Sequence, residues 1–344
     1  MRYAITGGAG FLGVHLARRL VADGESLRSL DLAPVDDPAL RGEVEEIRGD
    51  VRDPQKAREL CTGAQVLVHA AAALPIQGSR DEICSVNVDG TATMLAAALE
   101  ADVERVVLIS TTAVYGVPKT HPIGEDAPLV GVGAYGRSKI EAEEVARAFV
   151  RRGLPVVILR PKTFLGPERL GVFEILFDWI RECKRIYVLG DGSNRYQLLA
   201  AEDLVDAIVR AAAAGGVEGE ALNVGATEFG TVRSDLQTVI DHAGSSSRLT
   251  PVPARPAEAV LRVLELLRLS PLAEWHYRTA HHDSVVDVSK AQRLLGWSPR
   301  LSNAQTLVES YDWYEANRER LGAEGLTHRV PWNQKALGLL KRLS

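Results

Sequence analysis

The sequence predicts an α/β fold, in which a doubly wound parallel sheet is followed by a smaller mixed α/β C-terminal domain. Three observations carry this prediction. Short apolar runs alternate with helical stretches through the first half of the chain; a glycine-rich turn follows the first run; and the pattern loses regularity after Gly166, where proline and glycine become more frequent. The runs Tyr3 to Thr6, Ser26 to Leu30, Val66 to Ala70, Val106 to Ser110 and Val156 to Leu159 read as strands, with helices over Val14 to Ala22 and from near Tyr135. Such alternation implies βαβ units and a parallel sheet covered on both faces. Residues 1–165 are expected to form the first domain, with segments at about 200–225 returning to its sheet: Glu202 to Ala214 as a helix and Leu222 to Val224 as a strand. Residues 166–344 are expected to form mainly the second domain and a C-terminal tail.

Composition narrows the function. The 344 residues carry a formal net charge of −5, so no basic face is expected for a polyanion, and nucleic acid is not an expected partner. Cys61, Cys84 and Cys183 are far apart and odd in number, which fits neither a zinc knuckle nor a disulfide framework and points to a reducing, cytoplasmic setting. The first strand begins within the first few residues, leaving no room for a signal peptide ahead of it, and no apolar run approaches membrane-spanning length.

Gly7-Gly8-Ala9-Gly10-Phe11-Leu12-Gly13 follows a strand and opens a helix. Gly7, Gly10 and Gly13 allow a tight turn and let a pyrophosphate approach backbone N–H groups at a helix N-terminus, where Phe11 and Leu12 lie. Asp31 ends the next strand, where a carboxylate can accept hydrogen bonds from adenosine ribose hydroxyls and would repel a 2′-phosphate. Leu32 and Ala33 follow, with no adjacent arginine, so a Rossmann site for NAD rather than NADP is expected. Asp50 and Val51, after the third strand, suit the adenine amine and ring. Ala70, Ala71 and Ala72, after the fourth, would let the backbone run beside the cofactor.

Tyr135-Gly136-Arg137-Ser138-Lys139 places a phenol and an ammonium one helical turn apart on one face. A nearby ammonium stabilises phenolate, lowering the tyrosine pKa from about 10 towards working pH. Proton transfer is the chemistry such a pair suits.

With these motifs in view, the sequence resembles the extended short-chain dehydrogenase/reductase family, of the NAD-dependent epimerase/dehydratase type, which includes nucleotide-sugar epimerases and dehydratases and 3β-hydroxysteroid dehydrogenases. The resemblance spans nearly the whole chain. It rests also on Asn87-Val88-Asp89-Gly90-Thr91, Ser110-Thr111-Thr112-Ala113-Val114-Tyr115-Gly116, Leu159-Arg160-Pro161 and Leu294-Leu295-Gly296-Trp297-Ser298-Pro299. It implies Thr111, Tyr135 and Lys139 as catalytic residues, Asn87 as the helix-distorting asparagine, and Pro161 beside the cofactor. It implies that Tyr135 takes the hydroxyl proton of a secondary alcohol as hydride leaves for the nicotinamide, with Thr111 holding the oxygen. A homodimer through two helices of each subunit is usual in the family.

Departures from the family pattern bear on substrate. The dehydratase branch has two acidic residues after the catalytic threonine; Thr112 and Ala113 stand here and carry no proton near neutral pH, so dehydration by that route is disfavoured. Thr163 replaces the asparagine usual in nucleotide-sugar members. The arginine that the resemblance implies before a Gly-Asp pair is absent from the corresponding stretch, Ala280 to Asp287, leaving Arg195, Lys162 or Arg278 to supply charge, with Arg195 the best placed by resemblance and a surface salt bridge its alternative role. The expected substrate is therefore a nucleotide-diphosphate sugar, handled as by a 4-epimerase through a keto intermediate, with Thr112, Ala113, Thr163 and Arg195 near it.

The rival reading is a 3β-hydroxysteroid-like dehydrogenase of an apolar or lipid-linked alcohol. It draws on the apolar helical stretch Pro256 to Leu272, which as a leucine stripe is otherwise core or a dimer face, and on a tail bearing Trp332, Ala336, Leu339, Leu340 and Leu343 beside Lys335, Lys341 and Arg342. Such a tail suits either contact with a membrane surface or folding back on its own domain. A third reading, a dinucleotide-sensing regulator without chemistry, is opposed by intact Thr111, Tyr135 and Lys139. His276, His281 and His282 have no further ligand motif to complete a metal site.

Overall fold

The structure, a computed structural model, describes residues 1–74, 79–168, 170–267, 269–270, 272, 274–320 and 341. The chain opens with β1 (Arg2–Thr6), α1 (Phe11–Ala22), β2 (Ser26–Asp31), β3 (Val44–Arg48), α2 (Pro54–Cys61) and β4 (Val66–His69). Next come α3 (Arg80–Cys84), a π-helical turn (Ser85–Asp89), α4 (Gly90–Glu100), β5 (Arg105–Ile109), α5 (Gly133–Val150) and β6 (Val156–Pro161). Beyond these lie β7 (Thr163–Leu165), α6 (Val172–Arg181), β8 (Ile186–Leu189), β9 (Leu198–Ala200), α7 (Ala201–Ala213) and β10 (Ala221–Val224). The last elements are α8 (Val232–His242), β11 (Leu249–Val252), α9 (Ala254–Leu266), α10 (Glu274–Thr279), α11 (Ser289–Leu295) and α12 (Asn303–Asn317).

Seven strands form one sheet in the order β10-β6-β5-β4-β1-β2-β3, with every neighbouring pair parallel. The apolar runs are continuous because both faces are covered and successive side chains enter different cores. Tyr3, Ile5, Val107, Ile109, Val157 and Leu159 pack with α1 and α7, while Ala4, Leu67, Val106, Leu108, Val156 and Ile158 pack with α2, α4 and α5. The chain leaves the sheet after β6 and returns through α7 to β10, which pairs with β6. Two short parallel ribbons, β7 with β9 and β8 with β11, lie outside the main sheet.

Local chemistry fixes several boundaries. Asp53 accepts hydrogen bonds from the Gln55 and Lys56 N–H groups, and Pro54 supplies the first helical position of α2. Ser302 and Gln305 form a reciprocal capping box at α12. Buried Trp297 donates to the Asp203 carbonyl (2.9 Å), tying the chain after α11 to α7.

The strand order reverses beside β1, whose two neighbours are β2 and β4, and this opens a crevice at the carboxyl ends of β1 and β4. The glycine loop lies there. A Cβ on Gly13 would sit 2.3 Å from the Gly7 carbonyl oxygen and 2.5 Å from Gly8 Cα. Gly13→Ala is expected to cost about 2–3 kcal/mol in urea unfolding, as overpacking against backbone does. Gly215→Ala, which meets nothing within 4 Å, is expected to change stability by no more than about 0.5 kcal/mol.

Candidate active site

Gly7 has φ +74°, and a Cβ there would come 3.0 Å from Ala71 Cα and N, so the glycine loop and the segment after β4 lie in near contact. Gly10 caps α1 without any side-chain hydrogen bond, leaving the N-terminal N–H groups around Phe11 and Leu12 without that cover. An added Cβ at Gly7, Gly8 or Gly13 would strike Ala71, the Ser29 side chain or the loop's own backbone, so glycine here keeps the turn tight at the N-terminus of α1, a setting whose N–H groups suit a dinucleotide pyrophosphate. Asp31 stands at the end of β2, where one carboxylate oxygen accepts from Ala9 N (3.0 Å) and the other from Ala33 N (3.0 Å). Its charge is thereby held beside the glycine loop.

Asp50 is placed less simply than expected. Its carboxylate is taken up by Arg52, through Nε (2.9 Å), Nη2 (2.5 Å) and the backbone N–H (2.8 Å), and this ion pair holds it below the usual carboxylate range. Val51 is buried against Gly90, leaving little of its side chain to present to an adenine ring.

Beneath the crevice runs a buried polar chain. The Thr91 hydroxyl donates to the Asn87 carbonyl (2.7 Å), so its oxygen receives His69 Nε2–H (3.0 Å); His69 Nδ1 then accepts from the Thr6 hydroxyl (2.7 Å). Thr6 Oγ1 in turn accepts the N–H groups of Ala70 and Ala71 (both 3.2 Å). This order requires neutral His69, and burial, reinforced by nearby Lys139, pushes its pKa down to about 3. Asn87 lies in the π-helical turn, where its side chain accepts Ala73 N–H (2.8 Å) and donates to Ala73 O (3.1 Å) and Ser138 Oγ (3.0 Å). Ser138 donates to the Tyr135 carbonyl (2.9 Å), which joins the segment after β4 to the helix that carries Tyr135 and Lys139.

Lys139 is buried and donates to the Ile109 carbonyl (2.7 Å) at the end of β5. Burial lowers its pKa to about 8, against an upward pull from Glu143 one turn along α5. Glu143 is held by Arg160 from β6 through Nε (2.9 Å) and Nη2 (2.6 Å) and accepts from Ser110 Oγ (2.6 Å). Thr111 Oγ1 accepts the Ala113 N–H (3.2 Å), so its hydroxyl hydrogen is directed elsewhere. Thr111, Thr112, Ala113, Tyr135, Pro161 and Thr163 all border one cavity of about 970 Å³.

That cavity is lined mainly by apolar side chains of α6, β8 and α9, with the polar Ser110, Thr111 and Thr112 at the end of β5 and Lys162 and Thr163 after β6. Lys162 is the one cation among its described lining residues. It is buried, donates to Ser284 Oγ (2.5 Å) and lies 4.8 Å from the centre of the Tyr196 ring, with no carboxylate within 4.0 Å among the described residues. Burial alone lowers its pKa from 10.5 to about 7.

Arg195 does not join this group. It is half exposed and pairs with Asp283, through Nη2 (3.1 Å) and its backbone N–H (2.7 Å), outside the cavity lining. Most of the Pro256 to Leu272 stretch lies in α9 (Ala254–Leu266), none of whose residues is buried, so this helix is not core; its inner side lines the cavity. The tail residues Trp332, Lys335, Ala336, Leu339, Leu340, Arg342 and Leu343 lie outside the described residues, whereas Lys341 pairs with Asp178 (2.6 Å). Sequence reading passed over His69, Ser138, Glu143 and Thr91. His69 stood beside Ala70, Ser138 inside the Tyr135 to Lys139 segment and Thr91 at the end of the Asn87 to Thr91 segment, whereas Glu143 carried only its place one turn beyond Lys139.

Residues 3–225 match the NAD dependent epimerase/dehydratase family. The chain belongs to that family. Its cofactor is NAD, and it is an enzyme of the extended short-chain dehydrogenase/reductase type. Among relatives, an uncharacterized protein, y4nG, of Sinorhizobium fredii is 38% identical, over 98% of this chain and 84% of its own. The UDP-glucose 4-epimerase of Mycolicibacterium smegmatis is 28% identical, over 91% of this chain and 98% of its own. The crystal structure of a Thermotoga maritima UDP-glucose 4-epimerase with UDP-glucose shares the fold, with TM-score 0.78 and 21% identity over 92% of this chain and all of that one. Among the described residues, no helix of this family member is long and apolar enough to cross a membrane.

Lys162 gives a signed pH dependence. The folded state releases its proton near pH 7 and the unfolded chain only near 10.5, so burial of the charge opposes folding most below pH 7 and less as pH rises towards 10.5. Lys162→Met is expected to stabilise the protein by on the order of 1–3 kcal/mol at pH 6 and by less at pH 9.5, in denaturant titrations at the two values.

Proposed function

We propose that this enzyme moves a hydride between NAD and the carbinol carbon of a secondary alcohol carried on a largely apolar molecule. The observation that carries this reading is the cavity itself: Thr111 and Tyr135 border a space of about 970 Å³ whose other walls are mainly apolar and whose one cation among the described lining residues is Lys162. A diphosphate brings two negative charges that need donors of the arginine type. No described lining residue is an arginine.

The chain's residues divide the chemistry. Lys139, charged at neutral pH with a pKa of about 8, stands one turn from Tyr135 and favours the phenolate that accepts the alcohol proton. Thr111 keeps its hydroxyl hydrogen for the substrate oxygen because its lone pair is occupied by Ala113 N–H. Ser138 and Asn87 fix the first turn of α5 and with it the direction of the phenol. Bound NAD supplies the hydride acceptor, or in the reverse direction the donor. Thr112 and Ala113 offer no acid or base, so elimination of water is not part of this reading.

A second reading, 4-epimerisation of a nucleotide-diphosphate sugar, is favoured by the resemblance to the Mycolicibacterium enzyme. Assays that follow NADH with a sterol and a long-chain secondary alcohol, and product analysis with UDP-glucose and UDP-galactose, separate the two. Turnover of an apolar alcohol with inert UDP-hexoses is expected. Interconversion of the UDP-hexoses with inert apolar alcohols would replace this reading with the second.

Tyr135→Phe is expected to lower kcat by about 10²-fold or more while leaving NAD affinity within about threefold, by steady-state kinetics and calorimetry. Asp31, with both oxygens anchored, cannot swing away from a 2′-phosphate. NAD is therefore expected to bind at least about tenfold more tightly than NADP, and Asp31→Asn to narrow that gap. Equal affinities for the wild-type protein would refute the role given to Asp31.

A further inference from the structure

Helix α9 has two apolar sides and belongs to neither core. Its inner side presents Ala257, Leu261 and Leu264 to the cavity. Its outer side, at spacings of one helical face, carries Arg255, Ala259, Arg262, Val263 and Leu266, and every one of them is exposed. Leu266 is 83% exposed, Leu267 59% and Val263 56%. Among the described residues, five of the eight exposed large hydrophobic side chains lie between Val260 and Leu269, so these form a patch and not a scatter.

Charge on this helix is sorted by side. Glu258 turns to His281 (3.1 Å), and Glu265 turns to the Tyr277 hydroxyl (2.6 Å) and Glu274 N (3.0 Å), so both acids of α9 face α10 and the segment after it. Arg255 and Arg262 remain on the outer face with the leucines. A helix face that combines exposed leucine and valine with arginine, and no acid, complements an anionic lipid surface. A second copy of the chain related by a two-fold axis would set these arginines against a face with no carboxylate to answer them. Val260 is 59% exposed and also lines the cavity, so the outer patch and the interior space are continuous through one side chain.

We propose that the outer face of α9 docks the enzyme on anionic lipid bilayers, at the rim of its substrate cavity. This goes beyond the chemistry proposed above, and its test involves no turnover. The full-length protein is centrifuged with vesicles of phosphatidylcholine alone and of phosphatidylcholine with phosphatidylglycerol. Binding is expected to be about tenfold stronger to the anionic vesicles and to weaken as salt is raised. Val263→Glu with Leu266→Glu is expected to reduce that binding about tenfold, and Arg255→Gln with Arg262→Gln to remove the anionic preference. These side chains are exposed, so thermal unfolding is expected to stay unchanged and serves as the folding control. The proposal is overturned if the wild-type protein shows no preference for anionic vesicles, or if the double glutamate variant binds as well as wild type. It is equally overturned if that variant converts a dimer to a monomer in sedimentation without changing vesicle binding, because a second copy would then be what covers this face.

Discussion

Two backbones approach so closely at the centre of the sheet that one methyl group on Gly7 would fill the gap to Ala71. Everything around the crevice answers to that approach. Parallel strands that end side by side leave N–H groups pointing at each other's loops, and in a buried place each must find an acceptor. Thr6 supplies one for Ala70 and Ala71, and His69 and Thr91 carry the hydrogen-bond chain onward to the carbonyl of Asn87. Asn87, in its π-helical turn, then joins the same loop to the helix that carries Tyr135 and Lys139 through Ala73 and Ser138. The cofactor crevice and the Tyr135 helix are thus ends of one polar network, and neither can shift by much without breaking it.

The site also controls where charge is allowed. Glu143 and Arg160, both fully buried, answer each other with two hydrogen bonds, so the pair adds little net field while Glu143 still supports the ammonium of Lys139. His69 is kept neutral by burial and by that same ammonium. Lys139, one helical turn from Tyr135, keeps an ammonium that Glu143 supports from the next turn of α5, and an ammonium near a phenol favours the phenolate. Lys162 differs. Its hydroxyl and aromatic neighbours solvate the ammonium but do not oppose its charge.

How much of this was legible in the sequence depended on the kind of constraint. Strand positions, the glycine loop and the Tyr135 to Lys139 pair could be read because steric and helical periodicities act between residues close in sequence. The apolar run Leu222 to Val224 after a helix is a pattern of the same short range, and it lies in β10. For Arg195 the sequence left a substrate contact and a surface salt bridge both open, because its pairing depends on Asp283, far along the chain. Asp50 was judged by its place after β3, without weight given to Arg52 two residues on. His69 and Glu143 were missed because a buried polar residue declares itself only through partners that folding brings together.

The apolar helix α9 could not be assigned from periodicity, since a leucine stripe is equally the mark of core, of an interface and of a pocket wall. Structure separates these by showing that none of its residues is buried and that its two sides face different media. The inner side removes polar partners from the space where Tyr135 and Thr111 open, which bears on what can bind there. It does not alter the crevice of β1 and β4, whose glycines and Asp31 belong to other elements. The cofactor crevice and the lining of the cavity are therefore built by separate parts of the chain. A family resemblance carried by the glycine loop and the Tyr135 helix bears on the first and leaves open what the second, walled in part by α9, receives.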